Sequence, residues 1–294
     1  MTTLAPPIRT AAQAEATRRR RLLLIMGPPG LALLVFFLVP LGIMGLYTLR
    51  SGTLGGEMAW SLDTYRSFLA NTALQRLLWR STLVSLQTSL LCVLLAYPIA
   101  YYLAFRAGER RMTLLTIIII PAWTSYLLRI LAWKLILGSS GLLNTFLLWV
   151  GWIDQPAPIL LFSQTAVVVT LVYVWAPFVA LPIFAALDRI DKRLLEAAAD
   201  LGSPPWYAFV RVTLPLSLPG VLAGFLSVFI PTLGEYVTPL LVGGVNGIMY
   251  GNLIQDQFVR ALNWPLGSIM SLVLLVLLLP MFLLFRRSDD LLQR

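Results

Sequence analysis

Within the apolar run 216–241 stands one carboxylate, Glu235, with Pro231 and Gly234 just before it. A charged side chain at the centre of a membrane helix is disfavoured by roughly 2.5–3.5 kcal/mol, so it faces a cavity or a partner. Proline and glycine weaken the helix there, and irregular backbone at membrane depth is tolerated where it lines a cavity. The chemistry this offers is capture of a cationic group, with Glu235 as counter-charge and Tyr236, Trp123 or Tyr126 giving an aromatic face to the cation. A second role is open to the same carboxylate, a buried ion pair with Arg129 from another apolar run. Arg129 and Lys134 can also snorkel toward an interface, and Arg129 stands four residues before Trp133, close enough for a cation–π stack. Asp256, between apolar runs, could draw cations toward an entrance or be an ordinary solvated carboxylate.

Several other chemistries are closed off by composition. The chain has no His and a single Cys, Cys92, so a His-based triad, a His general base and an internal disulfide are excluded, and no metal set is expected. Cys92 lies in an apolar run and reads as a small core residue. No Gly-x-x-x-x-Gly-Lys-Ser/Thr loop occurs, so the chain holds no phosphate cradle and no nucleotide cofactor is expected. This is the composition of a non-enzyme.

The elements that must position Glu235 are membrane helices. Hydrophobic residues make up 59% of the 294 residues and charged ones 12%, and the mean hydropathy is +0.83. Such values describe an integral membrane protein. About 20 residues of helix cross a bilayer, and the apolar runs 31–49, 83–105, 114–137, 160–187, 216–241 and 266–285 predict six spans in an all-α fold. Strand-like alternation is absent, which leaves helices as the form that satisfies its own backbone. Basic residues fall on alternate sides of successive spans: Arg18 to Arg21; Arg106, Arg110 and Arg111; Arg189, Lys192, Arg193 and Arg211; Arg286, Arg287 and Arg294. Short cytoplasmic loops collect such residues, so both termini are expected in the cytoplasm. The net charge of +9 then reflects topology and lipid contact rather than a nucleic-acid partner. Residues 1–21 read as a cytoplasmic tail, flexible over 1–17. Gly27-Pro28-Pro29-Gly30 is expected to break the helix before an uncleaved first span. Residues 22–290 form the membrane domain, and 291–294 a cytoplasmic end.

One polar interruption, 188–215, separates the fourth and fifth runs. Asp188 is expected to cap a helix there, with Asp191 adding favourable charge near its start. Leu194, Leu195, Ala198 and Leu201 would share one face, while Ala197 and Ala199 permit close approach by another surface. Gly202 supplies a stop, Ser203 a second cap and Pro204 a first turn, giving two short helices at an angle. By pattern alone this is also compatible with an amphipathic connector lying on the inner leaflet.

The same stretch contains Glu196-Ala197-Ala198, three residues, Gly202, nine residues, then Val212-x-Leu214-Pro215. It resembles the cytoplasmic "EAA" loop of type I binding-protein-dependent ABC importer permeases, with Val212 where the family pattern has Ile. The resemblance implies that Glu196, Ala197, Ala198, Gly202, Leu214 and Pro215 couple the chain to ABC ATPase subunits. It further implies a second permease subunit, an extracytoplasmic substrate-binding protein and residence in a bacterial inner membrane.

Two further stretches, residues 121–144 (from Pro121-Ala122-Trp123) and residues 231–266 (from Pro231-Thr232-Leu233-Gly234-Glu235), resemble the spermidine/putrescine branch of that family. This implies a polyamine cargo, although relatives that carry opines, phosphonates or other small solutes share the pattern. Many chains of the polyamine branch carry an acidic residue after the proline that is Pro239 here, and this chain has Leu240.

Overall fold

Three helices form the centre: α4 (Thr72–Phe105), α8 (Gln164–Asp188) and α11 (Leu214–Leu233). The computed structural model describes residues 11–52, 59–157 and 162–292, with side chains from 20 to 281 within those ranges. Residues 1–10 of the expected tail, Leu160 at the expected start of the fourth span, and residues 293–294 lie outside the described residues.

Small residues let the central helices approach closely. A Cβ at Gly220 of α11 would collide with Ala186 Cβ and the Pro182 carbonyl of α8, and Gly224 meets Val179 and Pro182. Cys92, Ala96, Ala100 and Leu103 of α4 bury against Val179, Ile183 and Leu187 of α8 in one core cluster. Dispersion contact, rather than exclusion of water, drives such packing between membrane helices, which favours glycine and alanine at the seam. Tyr97 Oη and Ser217 Oγ, 2.9 Å apart, tie α4 to α11 within it.

Other elements surround this core. The first span runs through α1 (Ala11–Leu33), a π-helical turn Leu34–Leu38 and α2 (Val39–Tyr47). Its side chains from Leu22 to Leu38 are exposed, and it meets the body at its far end, where Tyr47 packs on Trp264 (5.4 Å). The expected break at Gly27–Gly30 does not occur, and residues 11–17 are helical rather than unstructured. Pro28 and Pro29 keep a helical φ and free two carbonyls, whereas a full break in apolar surroundings would free more. Two-residue strands β1 (Arg50–Ser51) and β2 (Ala59–Trp60) pair antiparallel before α3 (Asp63–Ala70).

The expected third span is in place but broken. It consists of α5 (Arg111–Ile119), a 3-10 turn Ile120–Trp123, extended backbone at Thr124, and α6 (Tyr126–Leu137). Pro121 starts the break, and the Thr124 hydroxyl donates to the Pro121 carbonyl (2.7 Å), competing with helix continuation. Residues Tyr126–Val150 are also long and apolar enough for a span. Contacts nevertheless put the crossing on α5 and α6: Arg111 pairs with Asp188 at one end of α8 (2.6 Å), and Leu137 clusters with Ala166 and Val167 near the other. Beyond α6, α7 (Leu142–Val150) follows a turn held by buried Asn144, whose Nδ2 donates to the Gly138 carbonyl (2.8 Å) and whose Oδ1 accepts from Ala157 N–H (2.9 Å).

After α11 the chain continues through a π-helical turn Pro239–Gly243, α12 (Tyr250–Val259) and α13 (Trp264–Leu292), the sixth span. Arg106, Arg110, Arg111, Arg189 and Lys192 gather at one end of the bundle, called here the basic end.

Gly220→Val should lower stability by about 1–3 kcal/mol through overpacking, whereas Gly27→Val, with nothing within 4 Å of its Cβ position, should be neutral. Thermal unfolding of the two purified variants in detergent checks this difference.

Candidate functional site

Two regions answer to the residues singled out by sequence: a break in the fifth span and an elbow at the basic end.

The break begins where α11 stops at Leu233, with Gly234 as its cap. Glu235, 8% exposed, turns its carboxylate onto the next helical turn. Oε1 accepts from Val237 N–H (2.8 Å) and Thr238 N–H (2.9 Å). These amides begin the new helical segment and have no helical acceptor of their own, so the carboxylate caps it and meets the positive end of its dipole. Oε2 accepts from Tyr126 Oη of α6 (2.7 Å), and Tyr126 Oη also lies 3.0 Å from Thr238 Oγ1. The broken fifth span is thereby fastened to the broken third. Tyr126 packs near Trp175 (6.4 Å), just past the middle of α8 counted from Asp188, so the break lies in the half of the membrane away from the basic end.

Arg129 does not form the ion pair considered for it. It is 8% exposed, yet among the described residues no carboxylate lies within 4 Å of its guanidinium. One nitrogen donates to the Val174 carbonyl (3.0 Å), and Nε has no partner among the described residues. It lies less than one turn beyond Tyr126 on α6, so Tyr126 stands where the sequence suggested Arg129 could. The Trp133 ring packs on Tyr173 (5.4 Å) instead of under Arg129.

Of the aromatic candidates, Tyr126 joins Glu235 directly. Tyr236 is half exposed beside it, and Trp123 is exposed at the other break. Asp256 is not part of this cluster: it lies on α12, pairs with Arg260 (3.4 Å), and borders a separate cavity of about 400 Å³ with Leu240, Ile248 and Asn252.

Asn252 and Gly251, within the 231–266 stretch, hold the break from the far side. Asn252 Nδ2 donates to the Tyr236 carbonyl (2.7 Å), while its Oδ1 accepts from Met249 N–H (3.0 Å). A Cβ at Gly251 would collide with the carbonyl oxygens of Gly234 and Glu235, so only glycine lets α12 close on the break. The start of α12 is anchored in turn by Tyr250 N–H donating to Ser81 Oγ of α4 (2.7 Å).

The elbow is built on α9 (Lys192–Asp200). Its cap is Asp191, whose carboxylate accepts from Arg193 N–H (3.0 Å), and not Asp188, which ends α8 and is taken by Arg111. The helix stops in a paired arrangement: Ser203 N–H donates to the Ala198 carbonyl (3.0 Å) and Gly202 N–H to that of Ala199 (2.8 Å). Gly202 has φ +78°, the left-handed value this stop requires. Ser203 does not cap the following helix; its hydroxyl is buried and makes no hydrogen bond among the described residues. Pro204 is the cap position and Pro205 the first residue of α10 (Pro205–Ala208). The second arm is not a separate short helix, because α10 continues through a π-helical turn Phe209–Thr213 into α11. One arm of the elbow is therefore the fifth span itself. Glu196 and Ala197 are exposed on α9, as are Leu194, Leu201, Trp206 and Tyr207 around it. A cavity of about 460 Å³ lies in the crook, lined by Ala198, Leu201, Pro204, Tyr207 and Arg211, with Leu214 and Pro215 opening α11 just beyond.

A six-span helical bundle with broken spans at membrane depth and an exposed elbow rigidly joined to one span is the architecture of a transport permease. The chain belongs to the family described as "Binding-protein-dependent transport system inner membrane component", whose model matches residues 93–294. It is 37% identical over 266 residues to the spermidine/putrescine transport system permease protein PotB of Escherichia coli (strain K12), covering 90% of this chain and 96% of that one. The PotB of Haemophilus influenzae is 35% identical over 264 residues, with 89% and 92% covered. The fold matches a crystal structure of a bacterial alginate ABC transporter in complex with an alginate pentasaccharide-bound periplasmic protein, at a TM-score of 0.74 and 16% identity over 96% of this chain and 98% of that one. This is therefore a permease subunit of an ABC importer, an inner-membrane multi-pass protein and not an enzyme.

Tyr126→Phe removes one hydrogen bond to a carboxylate and should cost about 1.5–3 kcal/mol; Gly251→Ala should cost about 1–3 kcal/mol by overpacking. Tyr102→Phe, at an exposed position of α4, should unfold like the wild type. Thermal unfolding of the three variants side by side checks the fastening of the break.

Proposed function

We propose that the chain forms half of the pore through which a polyamine enters the cell. The observation that carries this reading is the 37% identity to a spermidine/putrescine permease over 90% of the chain. Cargo would be delivered by an extracytoplasmic binding protein, a second permease subunit would complete the pore, and ATPase subunits would dock on the elbow through Glu196, Ala197, Ala198 and Gly202. The basic end, and with it both termini, would face the cytoplasm, in accord with the preference of Lys and Arg for that side.

The geometry suggests how motion reaches the cargo. Because α10 runs into α11, a partner that shifts α9 moves the fifth span as a lever, and the lever ends at the Glu235 break. A carboxylate accepts about four hydrogen bonds, and among the described residues Glu235 has three donors, Tyr126, Val237 and Thr238. One acceptor position remains for a cargo ammonium group, and opening the break would free the position held by Tyr126. Tyr236 and Trp123 supply exposed aromatic faces beside the two breaks. Leu240, exposed in the same turn, adds no second carboxylate to the path.

Uptake of radiolabelled putrescine and spermidine in cells lacking this chain, against complemented cells, tests the cargo. Restored uptake on complementation is expected; unchanged polyamine uptake in the deleted cells would remove polyamines as cargo. Glu235→Gln keeps an oxygen for the Val237 and Thr238 amides and loses the charge. It should abolish uptake while the subunits still co-purify, and normal uptake by this variant would remove the cargo contact.

A further inference from the structure

A second concave site lies at the basic end, away from both the Glu235 break and the crook of the elbow. It is a cleft of about 450 Å³ formed by Phe105, Arg106, Gly108, Glu109, Arg111 and Lys192. These residues come from two separate places in the chain: the continuous segment 105–111, which runs from the end of α4 into the start of α5, and the first residue of α9. Three cations face one carboxylate, Glu109, around the opening. Asp188 takes one nitrogen of Arg111 (2.6 Å), but a guanidinium has five N–H donors, so most of its donor capacity remains. Arg106 and Lys192 make no ion pair among the described residues.

General accumulation of basic residues at one membrane face does not require this arrangement. Arg110, Arg189 and Arg193 are exposed at the same end and lie outside the cleft. What the cleft adds is convergence of cations from two segments, 106–111 and Lys192, on one concavity, with exposed apolar side chains in the neighbouring turns of the same helices. Ile99 and Tyr102 stand in the last turns of α4, and Met112 opens α5, all exposed. A ligand suited to it carries an anion at headgroup depth and an apolar part beside it. Basic pockets between membrane helices bind phosphate-bearing headgroups on these terms.

We infer that this cleft binds the phosphate of an anionic membrane phospholipid, such as the phosphodiester of phosphatidylglycerol, and that the bound lipid links the end of the second span to the start of α9. The direction of the lipid, inner leaflet rather than outer, rests on the basic end being cytoplasmic as proposed above. Because Lys192 is the first residue of the elbow helix, occupancy of the cleft would fix where α9 starts relative to α4.

The test is native mass spectrometry of the full-length permease purified in detergent and titrated with phosphatidylglycerol, with phosphatidylcholine, or with inorganic phosphate. This readout is independent of insertion direction, cargo and ATPase, so its outcome is separate from that of the transport reading. Wild type should retain phosphatidylglycerol over phosphatidylcholine. Arg106→Gln with Lys192→Gln, which leaves the Arg111–Asp188 pair intact, should bind phosphatidylglycerol about thirtyfold more weakly. Arg110→Gln with Arg189→Gln removes the same charge outside the cleft and should bind as wild type. Displacement of the lipid by millimolar phosphate in wild type alone would keep the phosphate site and assign it to a soluble ligand. Equal loss of lipid in both double variants, or in neither, would overturn the proposal.

Discussion

A carboxylate buried in apolar surroundings must find donors, and in this permease its search organises the middle of the molecule. Glu235 takes two backbone amides that the interrupted fifth span leaves without acceptors, together with one hydroxyl from the third span. Each side solves the other's problem: the break supplies the amides that make the charge tolerable, and the charge satisfies amides that would otherwise make the break costly. An unbroken helix carrying Glu235 would leave the charge without these amides, and a break without Glu235 would leave the amides without this acceptor. Gly251 and Asn252 close α12 over the same segment, so the irregular backbone is held on several sides.

The same break stands at the far end of the helix that begins at the elbow. The core of α4, α8 and α11 is tightly packed, with Gly220 and Gly224 letting α11 approach α8 closely. The elbow helix α9 ends in a glycine-dependent stop, and the following arm continues without interruption into α11. Past its π-helical turn, that arm stays helical to Leu233 and ends at Gly234. Two breaks, one in the third span and one in the fifth, therefore meet at Tyr126, where small changes of helix position can exchange one hydrogen-bond partner for another.

Much of this was legible in the sequence because it is written locally. Hydropathy marked six spans, Pro231 and Gly234 marked the fifth-span break, and Gly202 marked the end of the elbow helix. Two of the misreadings share a cause, which is that the deciding partner lies far along the chain. Asp188 looked like a cap, but Arg111, 77 positions away, claims it and leaves the role to Asp191. Arg129 looked like the partner of Glu235, yet Tyr126 on the same helix reaches the carboxylate while Arg129 turns to the Val174 carbonyl. Gly27–Gly30 looked like a stop, a sound rule in water that weakens where freed carbonyls have no solvent to meet. Gly251 and Asn252 carried no local signal of their role, since it exists only once α12 lies against the break.

The account stands most directly on whether the Glu235 carboxylate holds the 236–243 segment. Hydrogen–deuterium exchange of the purified permease, read at residues 234–243 in wild type and in Glu235→Ala, measures this. Slow exchange at Val237 and Thr238 in wild type is expected, with about five- to thirtyfold faster exchange in the variant, as loss of a cap worth roughly 1–2 kcal/mol implies, and unchanged protection of α11. Equal exchange in the two proteins would contradict it.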